Sequence, residues 1–467
     1  MTSQIDMTTT SPLSLTCTPA APVIPLTGEQ RLMYVLLEIT GGEGKGALPV
    51  NIGLIIDGSD SMRIRLVTDE QFAQLAMAGK AKEVMTDGVP AYQITDISSD
   101  AVKNYPRRID YASEALVIAS EYLRPSDRFS LTAFANQAHR IIPSSPGSDK
   151  SRLLQAAREL EYLNLGDETN MAAGLASAFD EVQHHSNKSY ATRLVLLTDG
   201  HTRDVNECYQ WAKRAREAGL ALTTMGVGSE FNEDLLIPLA DLTGGNAYYI
   251  ESPEQIPNAF RTELGVAFRI SYRNVNVQLQ LPDGVSLRRV HRVQPELGSF
   301  DQGPEINSIH QLPLGNYDPS MPLALLLEFI IPGWEAGTYR MAQSWLTWED
   351  PDQTGSLAHT NQDILIQVAE SAKIIHNERV LNIVEKVGAY KFGTHVLEEA
   401  ESGIDKDAST LRLRQAATRL LNLGEENLAN VLSLQANMLE QAGNIDPNAT
   451  KKLRYETRHL TKKTDVE

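Results

Sequence analysis

The periodicity of apolar positions changes twice along the chain, and each change marks a different kind of structure. From about residue 48 to 265, short apolar runs alternate with helix-like segments. "VNIGLIID" is a continuous run of the kind buried on both faces, and "RFSLTAFA", "TRLVLLTDG", "LALTTMGVG" and "NAYYIES" repeat the theme. Between them, "RIDYASEALVIASEYL" places Ile109, Ala112, Leu116, Ala119 and Leu123 on one helical face. "DKSRLLQAARELEYL" is the next helix, with Ser148 or Asp149 expected as its cap. "NMAAGLASAFDEVQHH", "DVNECYQWAKRAREAG" (closed by Gly219), "NEDLLIPLADLTGG" and "PEQIPNAFRTEL" complete the helices. This alternation predicts an α/β fold, a doubly wound and mostly parallel sheet with helices on both faces. Such sheets bind ligands at the carboxyl ends of their strands.

Beyond residue 266 the period falls to two. "NVNVQLQLPDGVSL" puts Val275, Val277, Leu279 and Leu281 on one face and then turns at "PDG". "PLALLLEFII", "GTYRMAQSWLTWED" and "DILIQVAE" follow as strands with Pro/Gly breaks. An antiparallel β-sandwich is expected over 266–370. Residues 12–46, including "LMYVLLEIT", are expected to add one or two strands to it, so that the α/β unit at 47–265 is an insertion within the sandwich. From 371 to 467 the chain turns helical, with Gly424 and Gly443 as stops and Asp446-Pro447 as a helix start. A C-terminal helical bundle is the expected result. The Ser/Thr-rich residues 1–11 read as a disordered lead.

Composition narrows the function. Hydrophobic content of 42% and charged content of 22% are those of a soluble globular protein. A formal charge of -18, from 42 basic and 60 acidic residues, argues against nucleic acid as the main partner. It suits cation capture or docking to basic partners, and equally it serves solubility. Against this background the last segment is basic, with Lys451, Lys452, Arg454, Arg458, Lys462 and Lys463. A solvated helix face and a docking site account for it equally well. The cysteines, Cys17 and Cys208, are far apart, which fits a reducing compartment rather than a disulfide framework. The start lacks the basic and apolar regions of a signal peptide, and no apolar run approaches the roughly 18 residues of a spanning helix. "LALLLEFII" is short and carries Glu328. A cytoplasmic protein without a membrane segment is expected.

The chemistry converges on one sheet edge. Asp57 ends an apolar strand, and Ser59 and Ser61 follow at alternate positions. "GDETNMAAGL" offers Thr169 just before a helix, and "LVLLTDG" delivers Asp199 at the end of another strand. Asp-x-Ser-x-Ser alone is weak, because Asp and Ser also cap helices. Three segments bringing hard oxygens to one edge are stronger.

These residues, with "LTTMGVGSEFNEDLLIPLADLTGGNAYYIESPEQI", resemble a von Willebrand factor type A domain carrying a metal-ion-dependent adhesion site. The likeness covers about residues 48–265. The whole chain is similar to bacterial proteins that join such a domain to β-sandwich and helical parts. In arrangement it resembles inter-α-trypsin-inhibitor-like heavy chains and calcium-activated chloride channel-like bacterial proteins. The resemblance implies that Asp57, Ser59, Ser61, Thr169 and Asp199 hold a metal. Ser59, Ser61 and, with ligand bound, Thr169 would touch it directly, and Asp57 or Asp199 would act partly through water. Mg²⁺ suits such an oxygen shell, with Mn²⁺ and Ca²⁺ also compatible. One position stays open for an Asp or Glu carboxylate of a partner protein. The expected function is a non-enzymatic, cation-dependent protein-binding scaffold. The alternative is a non-catalytic subunit of a MoxR-type AAA+ ATPase or chelatase-like assembly. The ATPase would be a separate chain, since no Gly-rich GK[ST] loop occurs here.

Two departures from the family pattern stand out. Asp60 occupies the place between the serines where the bacterial pattern has Gly; a solvated carboxylate or a second cation ligand are the two readings. Residues 63–108 form an insert, with a helix expected around "QFAQLAMAGKAKEVM" and a strand around "AYQIT". Because it leaves from the ligand-bearing edge, it is expected to be a lid or specificity surface, or else a structural flap. His184, His185 and His201 lack metal-ligand spacing, and neither HExxH nor GxSxG occurs. Trp334, Trp345 and Trp348 read as core or sheet-face residues.

Overall fold

The structure, a computed structural model, describes residues 12–41, 46–66, 69–86, 89–94, 105–185, 189–300, 305–306, 308–349, 357–370, 372–402 and 405–462. The polar lead 1–11 lies outside them. β1 (Leu13–Pro19), β2 (Val23–Pro25) and β3 (Arg31–Gly41) come first in the chain but pair with strands that come late.

β4 (Val50–Asp57) opens the α/β unit, and a hairpin of β5 (Ala81–Thr86) and β6 (Val89–Ile94) stands apart from its sheet. β7 (Arg128–Phe134), β8 (Ala138–Pro146), β9 (Ala191–Thr198), β10 (Ala221–Val227) and β11 (Ala247–Ile250) complete the sheet in the order β11-β10-β9-β4-β7-β8. Every pairing is parallel except β7 with β8. β8 was not legible as a strand because as an edge strand it buries only Ile142 and Ser145. β4 is buried along its whole length because helices cover both faces. Ile52, Leu54 and Ile56 meet the helices Arg108–Tyr122, Ser151–Leu160 and Ile256–Ala267. Ile55 faces Met171–Gln183, Val205–Glu217 and Glu233–Thr243. Gly53 lets that second layer close in, for a β-carbon there would lie 2.7 Å from Leu194 and 2.9 Å from Val182. One expectation fails: neither Ser148 nor Asp149 caps Ser151–Leu160. A 3-10 turn over Gly147–Asp149 runs straight into the helix, and Lys150 at the junction makes no side-chain cap.

The sandwich uses β12 (Tyr272–Gln280), β13 (Ser286–Gln294), β14 (Gly298–Ser299), β15 (Glu305–Ile306), β16 (Ile309–Tyr317), β17 (Leu323–Ile331), β18 (Gly337–Glu349) and β19 (Leu357–Ala369). One sheet runs β1-β3-β17-β13-β14 and the other β15-β16-β12-β18-β19-β2. Residues 12–46 thus contribute three strands, one more than the apolar pattern suggested. Val35, Leu37, Val277, Leu327, Phe329 and Leu346 fill the interior, where Trp348 meets Tyr272 edge-on. β17 lacks alternation because both its faces are covered. Leu325, Leu327 and Phe329 face the sandwich core, whereas Ala324 and Leu326 lie under the C-terminal helices. Glu328, buried among them, is satisfied by His291 at 2.9 Å and Lys391 at 3.7 Å.

Those helices span Glu378–Ser402, Lys406–Asn422, Glu426–Ala442 and Pro447–Thr457. Gly424 and Gly443 turn with φ of 76° and 80°, a conformation glycine adopts without strain. The last helix leaves the bundle to pack on the α/β unit, where Tyr455 joins the core. Two of its basic residues are buried against carboxylates, whereas Lys452 stays partly exposed beside Glu251. Lys451 pairs with Glu233 at 2.7 Å, and Arg454 with Asp234 at 2.5 Å and Glu401 at 2.6 Å. Among the described residues no helix is long and apolar enough to cross a membrane.

Only part of the 63–108 insert is described. Its two ends are clasped: Arg65 bridges Arg107, Leu66 N donates to Pro106 O at 2.8 Å, and Arg65 donates to Tyr105 O at 2.7 Å. The expected helix stops at Met77. "KEVM" is strand instead, because Gly79, at φ 72°, breaks the helix and the chain then pairs with β6.

Candidate metal centre

β4 and β9 are parallel neighbours in the register Ile56↔Leu197, so their carboxyl ends emerge side by side. Asp57 and Asp199, both buried, leave the sheet there. Asp57 Oδ1 accepts from Ser59 N at 2.9 Å and Ser59 Oγ at 2.6 Å, and Oδ2 accepts from Thr198 Oγ1 at 2.6 Å. Ser61 Oγ donates to Asp199 Oδ1 at 2.7 Å and lies 3.0 Å from Ser59 Oγ. Thr169 arrives on the loop before Met171–Gln183. Asn170 N bonds Ala135 O at 2.8 Å beyond the end of β7, and Thr202 Oγ1 bonds Thr169 O at 2.7 Å. A β-carbon on Gly200 would sit 3.3 Å from Thr169 Oγ1, which places that hydroxyl over the Asp199-Gly200 turn. The five sequence-selected residues therefore meet at one edge. Asp60 is exposed, and it is tied down through its amide, which donates to Gly166 O at 3.1 Å.

The row Asp57 Oδ1, Ser59 Oγ, Ser61 Oγ, Asp199 Oδ1 has three contacts but only two hydroxyl protons. With both protons directed to the carboxylates, the two serine oxygens face each other through lone pairs. Burial raises the Asp57 pKa, and the nearby Asp199 charge raises it further. Burial likewise raises Asp199, against the opposing pull of Ser61 and Arg108. Two buried carboxylates and a cluster of hydroxyl lone pairs make a donor set for a hard cation, and oxygen-only donors suit Mg²⁺ or Ca²⁺. The residues fit the ion that the resemblance implies. Among the described residues no group of three or more His, Cys, Asp or Glu could hold a metal, so any site here depends on hydroxyls.

Residues 51–262 match the von Willebrand factor type A domain. These residues form a type A domain. Residues 378–463 match the Sll0103-like, C-terminal alpha-helical domain. "Uncharacterized protein sll0103" of Synechocystis is 24% identical over 342 residues, covering 71% of this chain and 79% of that protein. "Uncharacterized protein YfbK" of Escherichia coli is 26% identical over 220 residues, 45% of this chain and only 37% of YfbK. Among solved structures, a von Willebrand factor type A protein from Catenulispora acidiphila has a TM-score of 0.74 at 17% identity, covering 97% of this chain and 98% of that one. The ArnB paralog VWA2 from Sulfolobus acidocaldarius has a TM-score of 0.56 at 14% identity, covering 97% and 99%. The fold likeness extends beyond the type A domain to the sandwich and the helices.

Two groups at the type A edge escaped the sequence reading. Thr198, which braces Asp57, lies across from it in the β4–β9 register. Arg108 NH1 donates to Asp199 Oδ2 at 2.9 Å and to Ser61 O at 3.2 Å. The signal for it was the pair Arg107-Arg108 opening a helix, where cations are disfavoured by the macrodipole. His184 and His185 follow the far end of Met171–Gln183, away from the edge, and His201 is exposed. A cavity of about 230 Å³, lined by Arg193, Asp241, Arg292, Glu296, Asn316 and His459, lies toward the amino end of β9. It is remote from the type A edge, and Arg292 and Arg458 already neutralise its Asp241.

Proposed function

We propose that this chain is a non-enzymatic, divalent-cation-dependent protein-binding scaffold whose type A domain captures an acidic side chain of a partner protein. The observation that carries this reading is the proton-poor row of oxygens, in which two serine hydroxyls from one loop join the buried carboxylates Asp57 and Asp199, with Thr169 brought to the same edge by a third segment. Ser59, Ser61, Thr169, Asp57 and Asp199 would hold Mg²⁺, with Mn²⁺ or Ca²⁺ as substitutes. When bound, the ion supplies positive charge that neutral hydroxyl donors leave incompletely offset, which suits a partner carboxylate. The protein's own part is positional. Thr198 fixes Asp57, Asp57 fixes Ser59, and Thr202 holds the Thr169 loop at the same edge. The sandwich and helices give the type A domain a fixed orientation within a larger assembly.

Thermal unfolding in Mg²⁺ and in chelator tests the cation. At about one hundred times the dissociation constant, a ligand specific to the folded state adds roughly 2.7 kcal/mol of stability. Mg²⁺ should therefore raise the melting temperature of the wild type by several degrees and leave Ser59→Ala/Ser61→Ala unmoved. Affinity capture with and without Mg²⁺, repeated with Asp57→Ala, tests the partner. Identical melting curves in both buffers would remove the cation; equal capture in all three conditions would remove the metal-dependent partner.

A further inference from the structure

Arg63 stands two residues beyond Ser61, and its surroundings are unusual for so acidic a chain. Its NH1 donates to Glu161 O at 3.0 Å and its NH2 to Leu160 O at 3.3 Å. Arg107 donates to the same Glu161 O at 3.0 Å. Two guanidinium groups thus share one carbonyl at the carboxyl end of Ser151–Leu160, where the helix dipole offers only partial negative charge. Arg107 has a carboxylate of its own, Asp110 at 2.5 Å. Arg63 has only carbonyls: among the described residues no carboxylate lies within ion-pair distance of it, and of the two that act on it, Asp60 is exposed and Asp110 is taken by Arg107. Arg108, the third arginine of this edge, is held by Asp199.

The residues adjoining this pair are exposed and apolar or aromatic. Ile64, next to Arg63, is 56% exposed, and Tyr162, next to Glu161, is 81% exposed. Arg and Tyr are the residue types that most often carry binding energy at interfaces. A guanidinium without a carboxylate counter-ion, beside a site already read as a carboxylate receptor, is complementary to a second carboxylate, which the Nη hydrogens not spent on the two carbonyls can meet with a charge-assisted hydrogen bond.

We propose that the Arg63–Arg107 pair is a second docking point for the same partner, an acidic peptide segment that places one carboxylate at the metal edge and another on Arg63, with an apolar side chain against Ile64 and Tyr162. This rests on the function proposed above. The test uses the full chain in Mg²⁺ and two labelled peptides, hexaglutamate and a Gly/Ser hexapeptide with a single Glu, followed by fluorescence anisotropy. The wild type should bind hexaglutamate about tenfold more tightly, the worth of one good charged contact of roughly 1.4 kcal/mol. Arg63→Gln should bring hexaglutamate down to the single-Glu level and leave the single-Glu affinity and Mg²⁺ binding in place, which also shows that the edge still folds. Arg63→Lys, keeping the charge without the fork, should fall between them. Undiminished hexaglutamate preference in Arg63→Gln overturns the second docking point. Mg²⁺-dependent binding of both peptides with equal affinity to the wild type overturns it alone, whereas no binding of either peptide overturns the carboxylate-receptor reading as well.

Discussion

At the scale of single residues, Asp199 is divided between two claims. Its Oδ1 accepts from Ser61, while Oδ2 accepts from Arg108, whose guanidinium also reaches Ser61 O. Arg108 supplies one positive charge to a site with two buried carboxylates, enough to reduce their repulsion but not to cancel it. A divalent ion entering the row would share the edge with that guanidinium. At an effective dielectric near 20, like charges sharing one site repel by roughly a few kcal/mol before side-chain movement relieves it. Arg108 therefore acts as a tethered counter-ion to Asp199, and under the proposed function it would weaken the binding of a cation. Arg108→Gln should melt at a lower temperature in chelator and bind Mg²⁺ about tenfold more tightly, a change of roughly 1.4 kcal/mol. Titration calorimetry measures the second effect, and weaker Mg²⁺ binding by the variant would contradict the counter-ion role.

At the scale of elements, the described ends of the 63–108 insert are clasped together by a few hydrogen bonds, and the oxygens gathered at the edge all come from outside residues 67–104. Joining Leu66 to Tyr105 through two glycines should therefore preserve both folding and the Mg²⁺-induced rise in melting temperature. Loss of that rise in an otherwise folded variant would show that the insert shapes the cation site. What the sequence revealed and what it concealed divide along similar lines. A strand that ends abruptly in a carboxylate is a local signal, so Asp57 and Asp199 could be read directly, and Thr169 stood in turn text just before a helix. Arg108 could not be placed, because the clasp that carries it to Asp199 spans the whole insert. β17 shows as an unbroken apolar run rather than an alternating one because two separate cores cover its two faces, and β8 buries too little to leave a period. The basic C-terminal residues were equally opaque, since their partners Glu233, Asp234 and Asp241 lie more than two hundred residues earlier.

At the scale of the whole molecule, one carboxylate connects three parts of the chain. Asp241 belongs to the type A helix Glu233–Thr243, Arg292 to β13 of the sandwich, and Arg458 to the end of the last helix. Arg292 and Arg458 each reach Asp241 Oδ1 at 2.7 Å, and Arg458 also reaches Oδ2 at 3.1 Å. Burial pushes the Asp241 pKa up, but the two guanidinium groups outweigh it and hold the carboxyl below its ordinary range. Because the folded-state pKa is depressed, the stabilisation is complete above the unfolded value near 4 and is lost as pH falls through the lower folded value. Asp241→Ala leaves two buried guanidinium groups without their shared counter-ion, a loss of roughly 3–5 kcal/mol. Urea unfolding at pH 7 should show that deficit. In a series from pH 5 to 3 the variant should lose stability less steeply than the wild type, because this carboxyl no longer takes up a proton on unfolding. Parallel pH curves would mean that Asp241 does not carry the junction. If it does, a partner held at the type A edge is also held in a fixed relation to the sandwich and the helical domain, as a scaffold requires.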